Sequence, residues 1–333
     1  MRTQRMKIGS KIAIYAFLII VTIITLIPLL YTFSASFKEN MEIARGSIDL
    51  IPNNVKVMVN QWFHPEIVKE NENDTGTYTD AKTGEVLPKQ DRITIAKLFE
   101  NYATVWGMSG SSLNSQTTYL DYTLNSILVS LLTVFLVVLF TSMSAYVFQR
   151  GSFPGKKFLY WMFLGTMFVG AGTITIFPIL QITTKLNLNN RVGLAIVQFA
   201  TAGASNLFLT MGYLKTISME LDQAARIDGC SFFSTWWRII LPLSKPILAT
   251  VALMSFRGSW NNYLLPNLML AKNQKATTLV VAVVKLQSMG GSGASQYNLM
   301  MTGTMLAMLP MLILFLIMNK MFVEGVTAGA VKG

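Results

Sequence analysis

The side chains able to do acid–base, nucleophilic or metal chemistry are few, and their positions exclude most of it. The sequence holds one cysteine, Cys230, and one histidine, His64. That excludes a disulfide framework and any Cys-based zinc or iron–sulfur centre, and leaves too few soft ligands for a typical transition metal. Twelve of the sixteen acidic residues fall within 38–121. The other four are Glu220, Asp222 and Asp228, grouped in one short stretch, and Glu324. No His/Glu metal pair, Ser–Lys couple or paired-Asp arrangement stands in the apolar stretches, so an integral-membrane enzyme fails on inventory. The run at 287–295, which contains Gly290, Gly291, Ser292 and Gly293, is not a phosphate loop, because no Lys-Ser/Thr pair follows it. The chain carries no Walker motif with which to hydrolyse ATP itself, and no metal or cofactor is expected.

Polar groups inside apolar sequence are the next candidates. Arg257 alone interrupts an otherwise charge-free stretch at 246–271, and Asn261 and Asn262 follow it. An ionisable group roughly eleven residues into a spanning helix sits near mid-bilayer at 1.5 Å per residue, and there it faces a bundle interior or a wet cavity. Arg257 can line a path and bond solute hydroxyls or an acidic sugar. It can equally bond helix carbonyls or a partner subunit. Asn261 and Asn262 share both readings.

The elements that must position these residues are membrane helices. Hydrophobic residues make up 52% and charged residues 13% of the chain, against about 25% charged in a soluble protein. Mean hydropathy is +0.46. Charge-free stretches long enough to span occur at 12–37, 122–149, 158–184, 192–214 and 286–319, and the 246–271 stretch makes six. With six spans, the short-loop Lys and Arg at 2–11, 150–157, 215–245 and beyond 319 all fall on one side, which is the cytoplasm, with both termini. This predicts a cytoplasmic N-terminus and first helix at 1–37, an extracytoplasmic segment at 38–121, and a five-helix core at 122–333. The core carries a cytoplasmic loop at 215–245 and a tail at 320–333. The first apolar run is too long for a signal core and no small-residue cleavage site follows, so a retained anchor is expected.

The formal net charge of +11 divides unevenly: residues 38–121 carry eight basic against twelve acidic side chains. It is therefore a basic membrane body plus a mildly acidic segment, not a nucleic-acid footprint. Within that segment, residues 74–86 alternate β-formers with turn residues and predict a hairpin, and 93–105 has a weak helical period. A docking surface for an external partner and a lineage-specific decoration both fit it.

The loop at 215–245 is the most informative stretch. Ser218 can cap a helix whose first turn carries Glu220 and Asp222, where the helix dipole favours negative charge. Gly229 ends that helix. Phe232, Phe233, Trp236 and Trp237 follow, then Pro242, with Pro246 in the first turn of the next span. Such a helix can pass rigid-body motion from a soluble partner into the membrane, with Ala224 and Ala225 offering a small-residue surface. The alternative is an interfacial amphipathic helix with no partner.

Gln223-Ala224-Ala225-Arg226-Ile227-Asp228-Gly229, then Leu241-Pro242 and Pro246, resembles the "EAA" loop of ABC importer permeases, with Gln223 where the family has Glu. Asn125-Ser126 opening the second span and Ser144-Ala145-Tyr146 with Arg150 closing it are similar to the family's NS…AAY…R framing. Trp260-Asn261-Asn262-Tyr263 with Pro266 resembles its WN motif, and 322–333 resembles the C-terminal signature of the maltose-type carbohydrate branch. The resemblance implies an all-α integral membrane protein of six helices with the type I importer architecture, in a bacterial-type cell membrane. It implies a non-catalytic permease for oligosaccharides that forms a path with a homologous permease as a heterodimer. Two ATPase subunits and an extracytoplasmic sugar-binding protein complete the expected assembly. Glu220, Asp222, Gln223, Ala224, Ala225, Asp228 and Gly229 would couple to the ATPase, and Gly329 and Lys332 would reach its interface from the tail. Gly290, Gly291, Ser292 and Gly293 would contact the binding protein. Arg257, Asn261 and Asn262 would line the path. A sugar phosphate or acidic oligosaccharide is the alternative cargo.

Overall fold

The computed structural model describes residues 8–46, 48–69, 76–79, 86–88, 90–107, 117–168, 172–287 and 295–330. These are predominantly helical and divide into two units, one of 1–108 with 283–306 and one of 109–282 with 307–333.

The first unit begins with α1 (Ile8–Ala35), followed by α2 (Asn40–Ala44) and α3 (Asn53–Phe63). Strands β1 (Thr77–Thr79) and β2 (Val86–Pro88) come next, then α4 (Ile95–Leu98) and α5 (Glu100–Gly107). α1 is apolar on every side, and its side chains from Ile12 to Leu30 stay exposed, the pattern of a helix whose solvent is lipid. Beyond it the chain turns inward. Ser36 and Lys38 are fully buried, and Asn101 Nδ2 donates to both of their carbonyls at 2.9 Å. The expected hairpin pairs antiparallel with Tyr78 opposite Leu87, and its turn lies outside the described residues. The weak period at 93–105 resolves into α4 and α5, with the Thr94 side chain capping α4 through the Lys97 N–H.

The second unit is built on α6 (Tyr119–Arg150), which Thr118 and Asp121 start with a reciprocal capping box. Then come α7 (Lys156–Phe168), α8 (Ile176–Lys185), α9 (Arg191–Thr201) and α10 (Gly203–Leu214). The 215–245 loop forms α11 (Glu220–Ile227), α12 (Phe232–Thr235), a π-helical turn at Trp236–Ile240 and α13 (Leu241–Leu243). α14 (Lys245–Trp260) and α15 (Leu264–Met269) follow. α14, α9 and α10 all pack against α6. Two further helices, α16 (Leu279–Leu286) and α17 (Tyr297–Ala330), have residues in each unit.

Three helices are long and apolar enough to cross a membrane, within α1, α6 and α17, and three bent pairs bring the number to as many as six. Three expected spans therefore differ from smooth helices, the first being 158–184, whose two helical halves are bent by 111° relative to each other. The 192–214 stretch is bent by 60° between α9 and α10, where Gly203 takes a φ of +78° that disfavours any other residue. The 246–271 stretch stops at Trp260, and α14 is instead joined, through a 79° bend, to the helical run before it. Pro242 and Pro246 lack backbone N–H donors on either side of that bend, which weakens helix continuity there. The 320–333 tail also differs: α17 continues to Ala330, because extending an existing helix needs no new nucleus.

Candidate functional site

α11 is a short helix docked on the end of α6. Its placement follows from one buried carboxylate. Asp222 Oδ1 accepts from the Tyr146 hydroxyl at 2.7 Å, and Asp222 Oδ2 lies 3.1 Å from Arg150 Nε. Arg150 also donates through Nη2 to the Ile217 carbonyl at 2.6 Å, holding the approach to α11 as well as the helix itself. Below this, Tyr146, Phe148, Leu214, Trp236 and Ile240 share one buried cluster, and the Phe232 ring packs 4.4 Å from that of Tyr146. α11 is thus held to α6 by a buried ion pair and hydrogen bond, beside an apolar cluster that joins α6, α10 and the π turn.

The seven residues expected to couple divide between two faces. Asp222 and Ala225, three apart and so on one side of the helix, are buried against the chain's own helices. Glu220, Gln223, Ala224, Asp228 and Gly229 are exposed. Asp222 therefore presents its carboxylate inward, and the outward negative charge beside Gln223 is that of the exposed Glu220 and Asp228. Ser218 contacts the helix start one residue earlier than a standard cap, accepting from the Glu220 N–H at 3.2 Å. Gly229 ends the helix at φ +76°, and the Cys230 N–H closes it onto the Ala225 carbonyl at 2.8 Å. Sequence reasoning missed Ile227, which is 86% exposed at the tip of α11. An isoleucine just before a helix-ending Asp-Gly pair, on a helix otherwise rich in charge, is the signal by which it could have been found.

The Asn-Ser pair at the start of α6 has an equally definite role. Asn125 Nδ2 donates to the carbonyls of Lys275 and Thr277 at 2.8 and 3.0 Å, while its Oδ1 accepts from Arg191 at 2.7 Å. Ser126 Oγ accepts from the Leu279 N–H at 2.7 Å, at the start of α16. Beyond α16 lies the Gly-rich loop, and Gly290, Gly291, Ser292 and Gly293 fall outside the described residues. Its two ends are closed by a Gln296 N–H to Gln287 carbonyl bond of 2.8 Å. Asn40 fixes the following helix start, accepting from the Tyr297 N–H at 2.9 Å and donating to the Ser295 carbonyl at 2.7 Å.

Arg257 sits in the last turn of α14 and is exposed. It is not at a helix centre as the smooth span implied, because α14 ends three residues later. A cation in a last turn is favoured by the unpaired carbonyls there. Asn261 is the exposed C-cap of α14, and the half-buried Asn262 lines a polar cavity of about 300 Å³ shared with Gln198, Ser255 and Ser259. Trp260 stacks on Phe256 and donates through Nε1 to the Ala307 carbonyl at 3.2 Å, tying this helix end to α17. In the tail, Gly329 lies in the last turn of α17, and Lys332 is outside the described residues. Among the described residues no group of three His, Cys, Asp or Glu side chains could hold a metal ion.

The family model described as binding-protein-dependent transport system inner membrane component matches residues 103–327. The chain belongs to that family. It is 33% identical over 208 residues to the probable starch degradation products transport system permease protein AmyC of Thermoanaerobacterium thermosulfurigenes, covering 62% of this chain and 74% of that one. It is 32% identical over 229 residues to the sn-glycerol-3-phosphate transport system permease protein UgpE of Pectobacterium atrosepticum, covering 68% and 79%. Among solved structures, a bacterial ABC transporter involved in import of the acidic polysaccharide alginate superposes with a TM-score of 0.67, covering 96% of this chain and 100% of the other at 21% identity. That likeness is one of fold.

This binding-protein-dependent permease is accordingly a multi-pass, non-catalytic transport subunit. Two of the framing motifs acquire physical meanings in it. Tyr146 and Arg150 at one end of α6 hold α11, and Asn125 and Ser126 at the other end hold the approach to α16. One 32-residue helix therefore carries the seat of the 215–245 loop and the seat of the segment that leads to the Gly-rich loop.

Proposed function

We propose that this chain is the permease subunit of an ATP-driven oligosaccharide importer. It forms the translocation path with a homologous permease as a heterodimer, and an extracytoplasmic sugar-binding protein delivers the cargo. In this reading the chain crosses the membrane six times, with both termini and α11 in the cytoplasm and residues 38–121 outside, which the one-sided short-loop lysines and arginines support. Two cytoplasmic ATPases receive α11 through its exposed face, with Gln223, Ala224, Asp228 and Gly229 at the contact, Glu220 supplying charge, and the exposed Ile227 at the tip adding an apolar contact. Asp222 and Ala225 serve that contact from behind by fixing the helix. ATP-driven closure moves α11, and α6 carries the motion through the membrane. The Gly-rich residues 290–293 meet the binding protein, and Gly329 and Lys332 approach the ATPase interface. Arg257, Asn261 and Asn262 border the path.

The observation that carries this reading is the buried Asp222–Arg150 pair, which gives a surface helix the rigid attachment that force transmission needs. Oligosaccharide cargo is supported by AmyC, whose name describes transport of starch degradation products. A second reading, an anionic cargo, is supported by the exposed Arg257 and by the names of UgpE and the alginate importer. Co-expression with the neighbouring transport genes tests the assembly. Recovery of a second permease and an ATPase with this chain is expected, and purification without either overturns the proposal.

A further inference from the structure

The 38–121 segment holds a cavity outside the family-matched residues 103–327. Its lining runs in sequence from Met58 to Ile95, and it encloses about 410 Å³, within the range of small-molecule sites. α3 supplies part of the lining and residues 92–95 another part. Gln61, 7% exposed, fastens these two pieces together. Its Nε2 donates to the Asp91 carbonyl at 2.8 Å, and its Oε1 accepts from the Ile93 N–H at 2.9 Å. Arg92 lies between those two anchored residues, so its backbone is held before any ligand arrives. Val68, also in the lining, is held in turn. The Gln90 N–H donates to the Ile67 carbonyl at 2.8 Å, and the Lys69 N–H donates to the Gln90 carbonyl at 3.0 Å. A site with its walls already in place loses little ordering entropy on binding.

Two groups in this lining have no use within the chain. Trp62 is 83% exposed, a bare indole with Met58, Val68 and the 70%-exposed Ile95 as further apolar lining. Arg92 is exposed and makes no ion pair among the described residues. The carboxylate beside it in sequence, Asp91, is paired with Lys69 at 3.1 Å, and no acidic residue among those described lines the cavity. The positive charge of Arg92 is therefore uncompensated.

We propose that this cavity binds an acidic saccharide, with a pyranose ring against Trp62 and its carboxylate on Arg92. A uronic-acid ring has the two faces that the lining asks for. Its C–H face packs on an aromatic plane, and its carboxylate accepts the parallel N–H bonds of an arginine fork. A neutral sugar satisfies the indole alone, and a simple anion the guanidinium alone. The site is separate from the membrane path, and its assignment does not depend on the cargo that the path carries.

The full chain in lipid nanodiscs is titrated calorimetrically with digalacturonate and with its neutral dimethyl ester. At low ionic strength the acid is expected to bind at least about fivefold more tightly than the ester, as a charge-assisted fork requires, and added salt should narrow that difference. Trp62 and Arg92 are both exposed, so replacing either leaves the packing of the segment intact. Trp62→Ala should weaken both ligands at least fivefold, whereas Arg92→Gln should bring the acid down to the affinity of the ester. Phe63 is the neighbouring aromatic, 77% exposed and absent from the lining, and Phe63→Ala should leave both affinities unchanged. Failure of digalacturonate to bind the parent overturns the site. So does parental affinity in Trp62→Ala, or a loss in Phe63→Ala as large as that in Trp62→Ala. An acid preference that survives in Arg92→Gln overturns the role of the guanidinium and with it the ligand class.

Discussion

Arg150 Nε stands 3.1 Å from Asp222 Oδ2, with the two side chains 6% and 9% exposed, so the attachment of α11 to α6 is an ion pair shut away from water. Removing one member of such a pair strands the other charge, a loss of about 3–5 kcal/mol in comparable cases, whereas a matched apolar replacement can be neutral. Asp222→Asn and Arg150→Met should each lower the thermal midpoint and open 218–228 to protease. The double variant Arg150→Met with Asp222→Leu should recover much of the midpoint. Thermal unfolding in detergent and limited proteolysis read both quantities. A double variant as unstable as the sum of the singles would show that the pair is not the attachment.

Ile227 touches little of its own chain, so Ile227→Asp should change stability by less than about 0.5 kcal/mol, the range for surface substitutions away from special features. On the proposed account it nevertheless reduces ATPase recovery and uptake at least tenfold. Full uptake by this variant would remove Ile227 from the contact.

Gly229 holds a φ of +76°, where a β-branched residue is strained by about 1–3 kcal/mol. Gly229→Val should unwind the end of α11, while Gly229→Asn, which tolerates the left-handed region, should stay near the parent. Amide hydrogen exchange at 224–230 distinguishes them, with faster exchange expected for the valine variant alone.

Asn125→Asp keeps an acceptor for Arg191 but turns a carboxylate oxygen towards the Lys275 and Thr277 carbonyls, which Asn125 Nδ2 now satisfies. The approach to α16 should detach. A thiol introduced as Thr277→Cys, at a position 5% exposed in the parent, should then label several-fold faster with a soluble maleimide. An unchanged labelling rate would assign the seat of that segment to other contacts.

Much of the helical layout is legible in the sequence, because charge-free runs of sufficient length have one solution in lipid. The bends are less so. Gly203 reads as one glycine among many, and only its φ of +78° marks it as the break beside the polar cavity. The α11 helix is legible from its acidic first turn, its Ala pair and Gly229. Which face it docks is not, since Asp222 and Gln223 are adjacent in sequence, and the hydroxyl that claims Asp222 belongs to Tyr146, 76 residues away. The same distance problem hides the cavity: Thr133, Gln198 and Ser259 are ordinary polar residues until three helices bring them onto one amide.

In the proposed importer, α11 is the element that a separate ATPase grips. Photo-crosslinking from a single thiol at Ile227→Cys, in the Cys230→Ser background and in membranes of the producing cell, tests it most directly. A crosslinked product containing the ATPase subunit is expected, and none from the buried Ala225→Cys. Labelling of Ile227→Cys by a membrane-impermeant reagent added to intact cells, with no ATPase product, would contradict it.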